Sequence, residues 1–170
     1  GLIPPSEFIP IAESTELIVP IGEWVLDAVC AQVGEWQRLD TTGAFRSAWV
    51  NVSGRQLARP HFPAVVEAAI KRYGLAPTAL GLELTESTLI DEAETPGTEL
   101  RDIEALGVRV AIDDFGTGYS SLLYLLRFRV DILKIDRTFV SGLGTSDEST
   151  AIIEAVIGLA HTLGMKVSAE

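Results

Sequence analysis

Two carboxylates stand side by side in "AIDDFGTGYSSL", residues 111–122, at Asp113 and Asp114. An apolar run, Val108 to Ile112, leads into them, and Phe115-Gly116-Thr117-Gly118 comes next. Successive strand residues point to opposite faces. Both acids can therefore serve one site only if the strand stops at Asp113 and the chain turns at Asp114, which the glycines at 116 and 118 make easy. Asn51 and Glu83 add two more hard oxygen donors. An oxygen-only set selects magnesium or manganese over zinc. Neighbouring aspartates at a strand end suit a pair of such cations, the arrangement that clamps the attacking and leaving oxygens of a phosphodiester. Lys134, in "DILKID", is the cation of the set, placed to orient a nucleophile or to neutralise charge developing on phosphate.

Each residue also has a plainer reading. Lys134 could be a buried lysine paired with Asp131 or Asp136, "DDFGTG" a capped turn, and Glu83 a strand-end acid that caps the segment after it. Their common placement weighs against so many independent coincidences. The two histidines add nothing: His61 precedes a helical stretch and His161 lies on one, so both read as structural or surface residues.

The elements that must hold this set alternate along the chain. Helical periodicity covers 21–38 (through Trp24, Val25, Ala28, Val29, Val33 and Trp36), 60–73, 97–106, 119–127 and 147–163. In the last, Ile152, Ile153, Val156, Ile157, Ala160 and Leu163 form one apolar face, Ser146 suits the start and Gly164 the end. Short apolar runs at 47–52, 80–85, 108–113, 131–135 and 166–169 read as strands. Near-continuous apolar strands alternating with helices imply an α/β fold with a parallel sheet. Asn51, Glu83, Asp113, Lys134 and Glu170 each fall at or near the C-terminal end of a different strand, where (β/α)8 TIM-like barrels gather catalytic groups. A doubly wound sheet would commonly carry a glycine-rich phosphate loop after its first strand, and that loop is absent. Stepping inward by two from each site residue puts Trp49, Gly81, Ala111, Ile132 and Ser168 in the next interior layer. Such a barrel needs roughly 250 residues. About five of the eight strands are therefore expected in these 170 residues, with the others lying outside them.

Composition narrows the functional classes. The hydrophobic content of 47% and the length of 170 residues suit one domain. A net charge of -11 argues against polymeric nucleic acid as a partner, but not against a small phosphate ligand met through divalent cations. Cys30, the single cysteine, reads as a buried filler. No apolar run is long enough to span a bilayer, and the start "GLIPPSEFIP" lacks a signal-peptide pattern, so a cytoplasmic location is expected, although a longer parent protein could be membrane-anchored.

Five segments, "GLIPPSEFIPIAE", "VNVSGRQL", "ELTES", "DDFGTGYSSL" and "LKIDRTFV", occur in an order and spacing that resembles the EAL domain, the bacterial phosphodiesterase that opens cyclic di-GMP to linear pGpG. The resemblance spans essentially residues 1–170 and reads as a partial domain. It implies a (β/α)8 barrel, two magnesium or manganese ions, and a homodimer formed through the segment after the paired aspartates. Asn51, Glu83 and Asp113 look like ligands of one metal, with Asp113 shared and Asp114 completing the second site. Lys134 and Glu170 look like the residues that position and activate the attacking water. Glu86 looks like the residue that holds the loop from Phe115 to Ser121, and Asp136 like a ligand contact or its support. The glutamate of the family's naming motif would precede Gly1 and a last strand would come after Glu170, so these residues alone are expected to be inactive. Fused sensory or GGDEF-type domains are expected in the longer protein. The competing reading is a non-catalytic cyclic di-GMP receptor or scaffold. A metal-independent lyase built on Lys134 and Asp136 would leave Asn51, Asp113 and Asp114 without a purpose.

Overall fold

Five strands pair in chain order into one parallel sheet: β1 (Ala48–Asn51), β2 (Leu80–Thr85), β3 (Arg109–Phe115), β4 (Ile132–Ile135) and β5 (Lys166–Ala169). This computed structural model describes residues 1–94, 99–116 and 122–169. Helices α1 (Pro5–Ser14) and α2 (Ile18–Leu39) precede β1. The crossovers carry α3 (Gly54–Leu57) and α4 (Phe62–Tyr73), then α5 (Glu86–Glu94) and α6 (Glu99–Ala105), then α7 (Leu122–Arg127), then α8 (Arg137–Val140) and α9 (Asp147–Thr162). This is the α/β architecture expected, with five strands of a (β/α)8 barrel.

The period of two along each strand separates two faces. Val50, Leu82, Leu84, Val110, Ile112, Leu133 and Ile135 are buried beneath the helices. Trp49, Asn51, Glu83, Asp113, Ile132 and Lys134 alternate with them and lie on the other face. The helices begin and end on ordinary chemistry. Ser53 and Gln56 form a reciprocal capping box at α3, and Ser146 Oγ accepts the Ser149 N–H at 3.1 Å to open α9. Gly74, with φ of 64°, closes α4 in the left-handed conformation that glycine adopts without strain.

Four expectations need correction. The apolar face of α2 runs through Ile18, Gly22, Leu26, Cys30 and Val33, while Trp24 and Trp36 face outward at 71% and 46% exposure. Aromatic size in the sequence pulled the expected face round the helix axis. On α9, Ile153, Val156 and Ala160 are buried but Ile152 is exposed. The helices α1, α3, α5 and α8 were not expected: α1 contains Pro10, α3 and α8 have four residues each, and α5 has few apolar residues, Leu89, Ile90 and Ala93. The interior layer is slanted rather than level. Trp49 and Gly81 are Cα partners, but the next partner across the sheet is Arg109, while Ala111 pairs with Glu83 and Ile132. Arg109 takes the place expected for Ala111 and sets its guanidinium 5.3 Å from the Trp49 ring centroid.

Cys30 is the buried filler expected, and burial, with Asp27 adding to it, pushes its thiol up to about 11. The indole of Trp49 lies directly on Gly81, where an added Cβ would collide with the ring. Gly81→Ala is therefore expected to cost about 1–3 kcal/mol of stability, the usual range for overpacking. Denaturant unfolding checks this. An unchanged midpoint would show that the ring can move aside.

Candidate active site

The ends of β2, β3 and β4 bring three of the expected residues into contact. Lys134 Nζ lies 3.1 Å from Glu83 Oε2 and 3.0 Å from Asp113 Oδ2. All three side chains are well shielded, at 13%, 15% and 16% exposure. Lys134 is on β4 and Glu83 on β2, so the lysine must reach across β3. On β3 the Cα partner of Glu83 is the small residue Ala111, and the lysine, two residues beyond Ala111's β4 partner Ile132, reaches Glu83 on a diagonal. Asn51 is the Cα partner of Glu83 at the exposed end of β1, which places it at the same rim.

The paired aspartates are arranged differently from the expectation. Strand β3 does not stop at Asp113; it continues to Phe115 through a bulge. Ile112 pairs with Leu133 and Phe115 with Ile135, so three steps along β3 match two along β4. Asp114 takes up the extra residue at φ of 54°, in the left-handed region that aspartate tolerates better than most residues. The bulge, rather than a strand end, frees Asp114 from the strict alternation of the pleat.

Asp114 lies near Asp136, close enough for one carboxyl to donate to the other when it carries a proton. Asp136 caps α8, accepting the Thr138 N–H at 2.7 Å. Hydrogen bonds from Thr138 hold its carboxyl below the usual range, and the bond with Asp114 contributes less in the same direction. Glu86, buried at 5% exposure on the first turn of α5, accepts the Gly116 N–H through Oε2 at 3.0 Å. That contact ties the first turn of α5 to the backbone just past the paired aspartates. Thr85, the Cα partner of Asp113, was missed by sequence reasoning: its Oγ1 accepts the Thr88 N–H at 3.3 Å and thereby fixes the start of α5. Its position three residues before Thr88 and next to Glu86 was the available signal.

Glu170 and the part of the expected loop from Thr117 to Ser121 lie outside the described residues. Among the described residues, no three acidic, histidine or cysteine side chains converge as a ready-made cage. Two pairs stand instead: Glu83 and Asp113 gathered on an ammonium, and Asp114 and Asp136 gathered on each other. Glu83 and Asp113 have the Lys134 ammonium as their counter-charge, whereas the contact between Asp114 and Asp136 needs a shared proton or a cation. An oxygen-rich rim of this kind fits hard divalent cations.

The model of the EAL domain matches residues 1–170. The chain is 46% identical over 170 residues to the bifunctional diguanylate cyclase/cyclic di-GMP phosphodiesterase MucR of Pseudomonas aeruginosa, covering 100% of this chain and 24% of that protein. It is 38% identical over 170 residues to the cyclic di-GMP phosphodiesterase PdeR of Escherichia coli K12, covering 100% of this chain and 25% of PdeR. The chain thus spans about a quarter of the length of these curated relatives. The solved structure of the PaMucR phosphodiesterase in complex with c-di-GMP superimposes with a TM-score of 0.91 at 46% identity, over 99% of this chain and 68% of that one. The EAL enzyme Bd1971 with cAMP and cyclic di-GMP bound superimposes with a TM-score of 0.89 at 32% identity, over 99% of this chain and 46% of that one.

Proposed function

Because the chain belongs to the EAL domain family, we propose that it forms part of a phosphodiesterase domain that hydrolyses cyclic di-GMP to pGpG with two magnesium or manganese ions. The observation that carries this reading is the convergence of Glu83 and Asp113 on Lys134 at the carboxyl ends of three neighbouring strands. Similarity to relatives named as cyclic di-GMP phosphodiesterases supplies the substrate. Two of the similar structures, the MucR phosphodiesterase and Bd1971, were solved with cyclic di-GMP bound.

Asn51, Glu83, Asp113 and Asp114 would hold the ions, and Asp136 would ligate or brace Asp114. Bound ions of this kind polarise phosphate oxygens and make water a nucleophile near neutral pH. The chain's own residues do the rest. Lys134, held between Glu83 and Asp113, would donate to the attacking oxygen and offset negative charge growing on the phosphate. Glu170 is the second group proposed to act on the attacking water. Glu86 anchors the backbone just past the paired aspartates, so the carboxylates are set before substrate arrives. A homodimer formed through the segment after the aspartates, and fused sensory or GGDEF-type domains, belong to the same proposal.

A receptor that binds cyclic di-GMP without turnover is the second reading. The intact Glu83, Asp113 and Lys134 cluster favours the enzyme. The test is nucleotide chromatography of the whole protein incubated with cyclic di-GMP. The expected result is pGpG formed with Mn2+ or Mg2+, lost in EDTA, restored by Mn2+ and not by Ca2+. Calcium prefers longer bonds and looser coordination than a compact two-metal site provides. Equal turnover in EDTA would refute the metal-dependent reaction, and binding without turnover in Mn2+ would favour the receptor.

A further inference from the structure

The exit of β3 is held from both sides. On one side the Glu86 carboxylate, just after β2, accepts the Gly116 N–H at 3.0 Å. On the other side lies Phe139 of α8, the helix after β4. A Cβ placed on Gly116 would meet Phe139 Cε2 at 3.0 Å and Cζ at 3.5 Å, so the ring occupies the ground a side chain at 116 would need. Gly116 has φ of 101°, a backbone state that other residues rarely adopt. Two residues earlier Asp114 sits at φ of 54° in the bulge. The ring of Phe139 is partly buried against the core, and the residue that caps its helix is Asp136, the partner of Asp114. One short helix therefore carries both the ring that presses on Gly116 and the carboxylate that meets Asp114.

We propose that Phe139 is a positioning residue: packed on Gly116 opposite Glu86, it fixes the β3 bulge and so presets Asp113 and Asp114 for divalent cations. This rests on the metal reading of the site given above. The physical reason is that a non-glycine residue held at positive φ, as Asp114 is, costs energy and persists only where its surroundings over-determine it. The hydrogen bond from Gly116 to Glu86 fixes one backbone N–H, but leaves the peptide free to rotate about it. A flat ring against the Cα removes that freedom. Groups that orient ligands without touching the metal are commonly worth about 10–100-fold in affinity.

The test is Mn2+ titration of the whole protein by calorimetry, alongside thermal melting. Phe139→Ala is expected to weaken Mn2+ binding about tenfold, while Phe139→Leu, which keeps an apolar side chain over Gly116, stays close to the unsubstituted protein. Val140→Ala, a neighbouring packing change on α8, should lower the melting temperature without moving Mn2+ affinity. Phe139→Val, which shortens the side chain while keeping it apolar, is expected to weaken Mn2+ as well, which keeps the test decisive if Phe139→Ala folds poorly. If the unsubstituted protein took up no Mn2+, the metal reading would fall and this inference with it. If it bound Mn2+ and both Phe139→Ala and Phe139→Val bound it equally well, the positioning role alone would be overturned.

Discussion

Lys134→Ala is expected to lower turnover of cyclic di-GMP by about 100-fold or more while Mn2+ binding is kept or becomes tighter. The loss of turnover reflects the contribution of a positioned proton-handling or charge-neutralising group, commonly about 10²–10⁴-fold in rate. Its effect is concentrated in the transition state, so kcat should fall further than KM rises. The metal effect comes from Coulomb's law applied to the observed contacts. The Lys134 ammonium sits 3.1 Å from Glu83 and 3.0 Å from Asp113, and a positive charge there opposes the entry of a cation. Removing it leaves two shielded carboxylates without their counter-charge. The metal-free variant should therefore melt lower than the unsubstituted protein, and Mn2+ should restore more of the difference. Calorimetry, melting curves and steady-state kinetics on one preparation separate these effects. A loss of Mn2+ affinity would mean that Lys134 organises the metal site rather than acting on the nucleophile.

The features legible in the sequence are those that depend on the character of single strands. Glu83 and Lys134 announced themselves because each interrupts an apolar run, and a charged residue at a strand end needs a reason. That they touch was not readable, since contact between residues two strands apart depends on the sheet register. The register also explains the error in the interior layer. Counting back two residues from each site residue assumes level strands, whereas a barrel's strands are staggered, and so Arg109 meets Trp49. The paired aspartates show the same limit from the other side. Alternation required some break near Asp114, and the glycines suggested a turn. The chain uses a bulge with Asp114 at positive φ, a choice set by the pairing of Phe115 with Ile135 that no local pattern records. Helix α2 failed for a simpler reason: Trp24 and Trp36 are large and apolar but exposed, and a single exposed aromatic is compatible with any helix face.

Asp113→Ala is expected to abolish measurable turnover and to weaken Mn2+ binding by at least about 100-fold, because even groups that only orient a ligand are worth about 10–100-fold. Asp113 makes contacts through both carboxylate oxygens. Its Oδ2 meets Lys134, its own backbone leads directly into the bulge, and its Oδ1 accepts the Asp114 N–H at 3.0 Å. Removing the carboxylate deletes one proposed shared ligand and releases the backbone of the next. Lys134 would then be left with Glu83 alone of the two acids, and the positive charge would weigh more heavily against any cation nearby. This predicts an ordering as well as a magnitude. Mn2+ affinity should fall in Asp113→Ala and hold or rise in Lys134→Ala, and the double variant should recover part of the affinity lost in Asp113→Ala, because the opposing ammonium is gone. Such coupling between contacting groups is read from a double-mutant cycle. If the double variant regained no more affinity than Lys134→Ala gains alone, the opposing-charge argument would fail, and if Lys134→Ala lost Mn2+ as severely as Asp113→Ala, the assignment of one residue to the metal and the other to the nucleophile would be wrong.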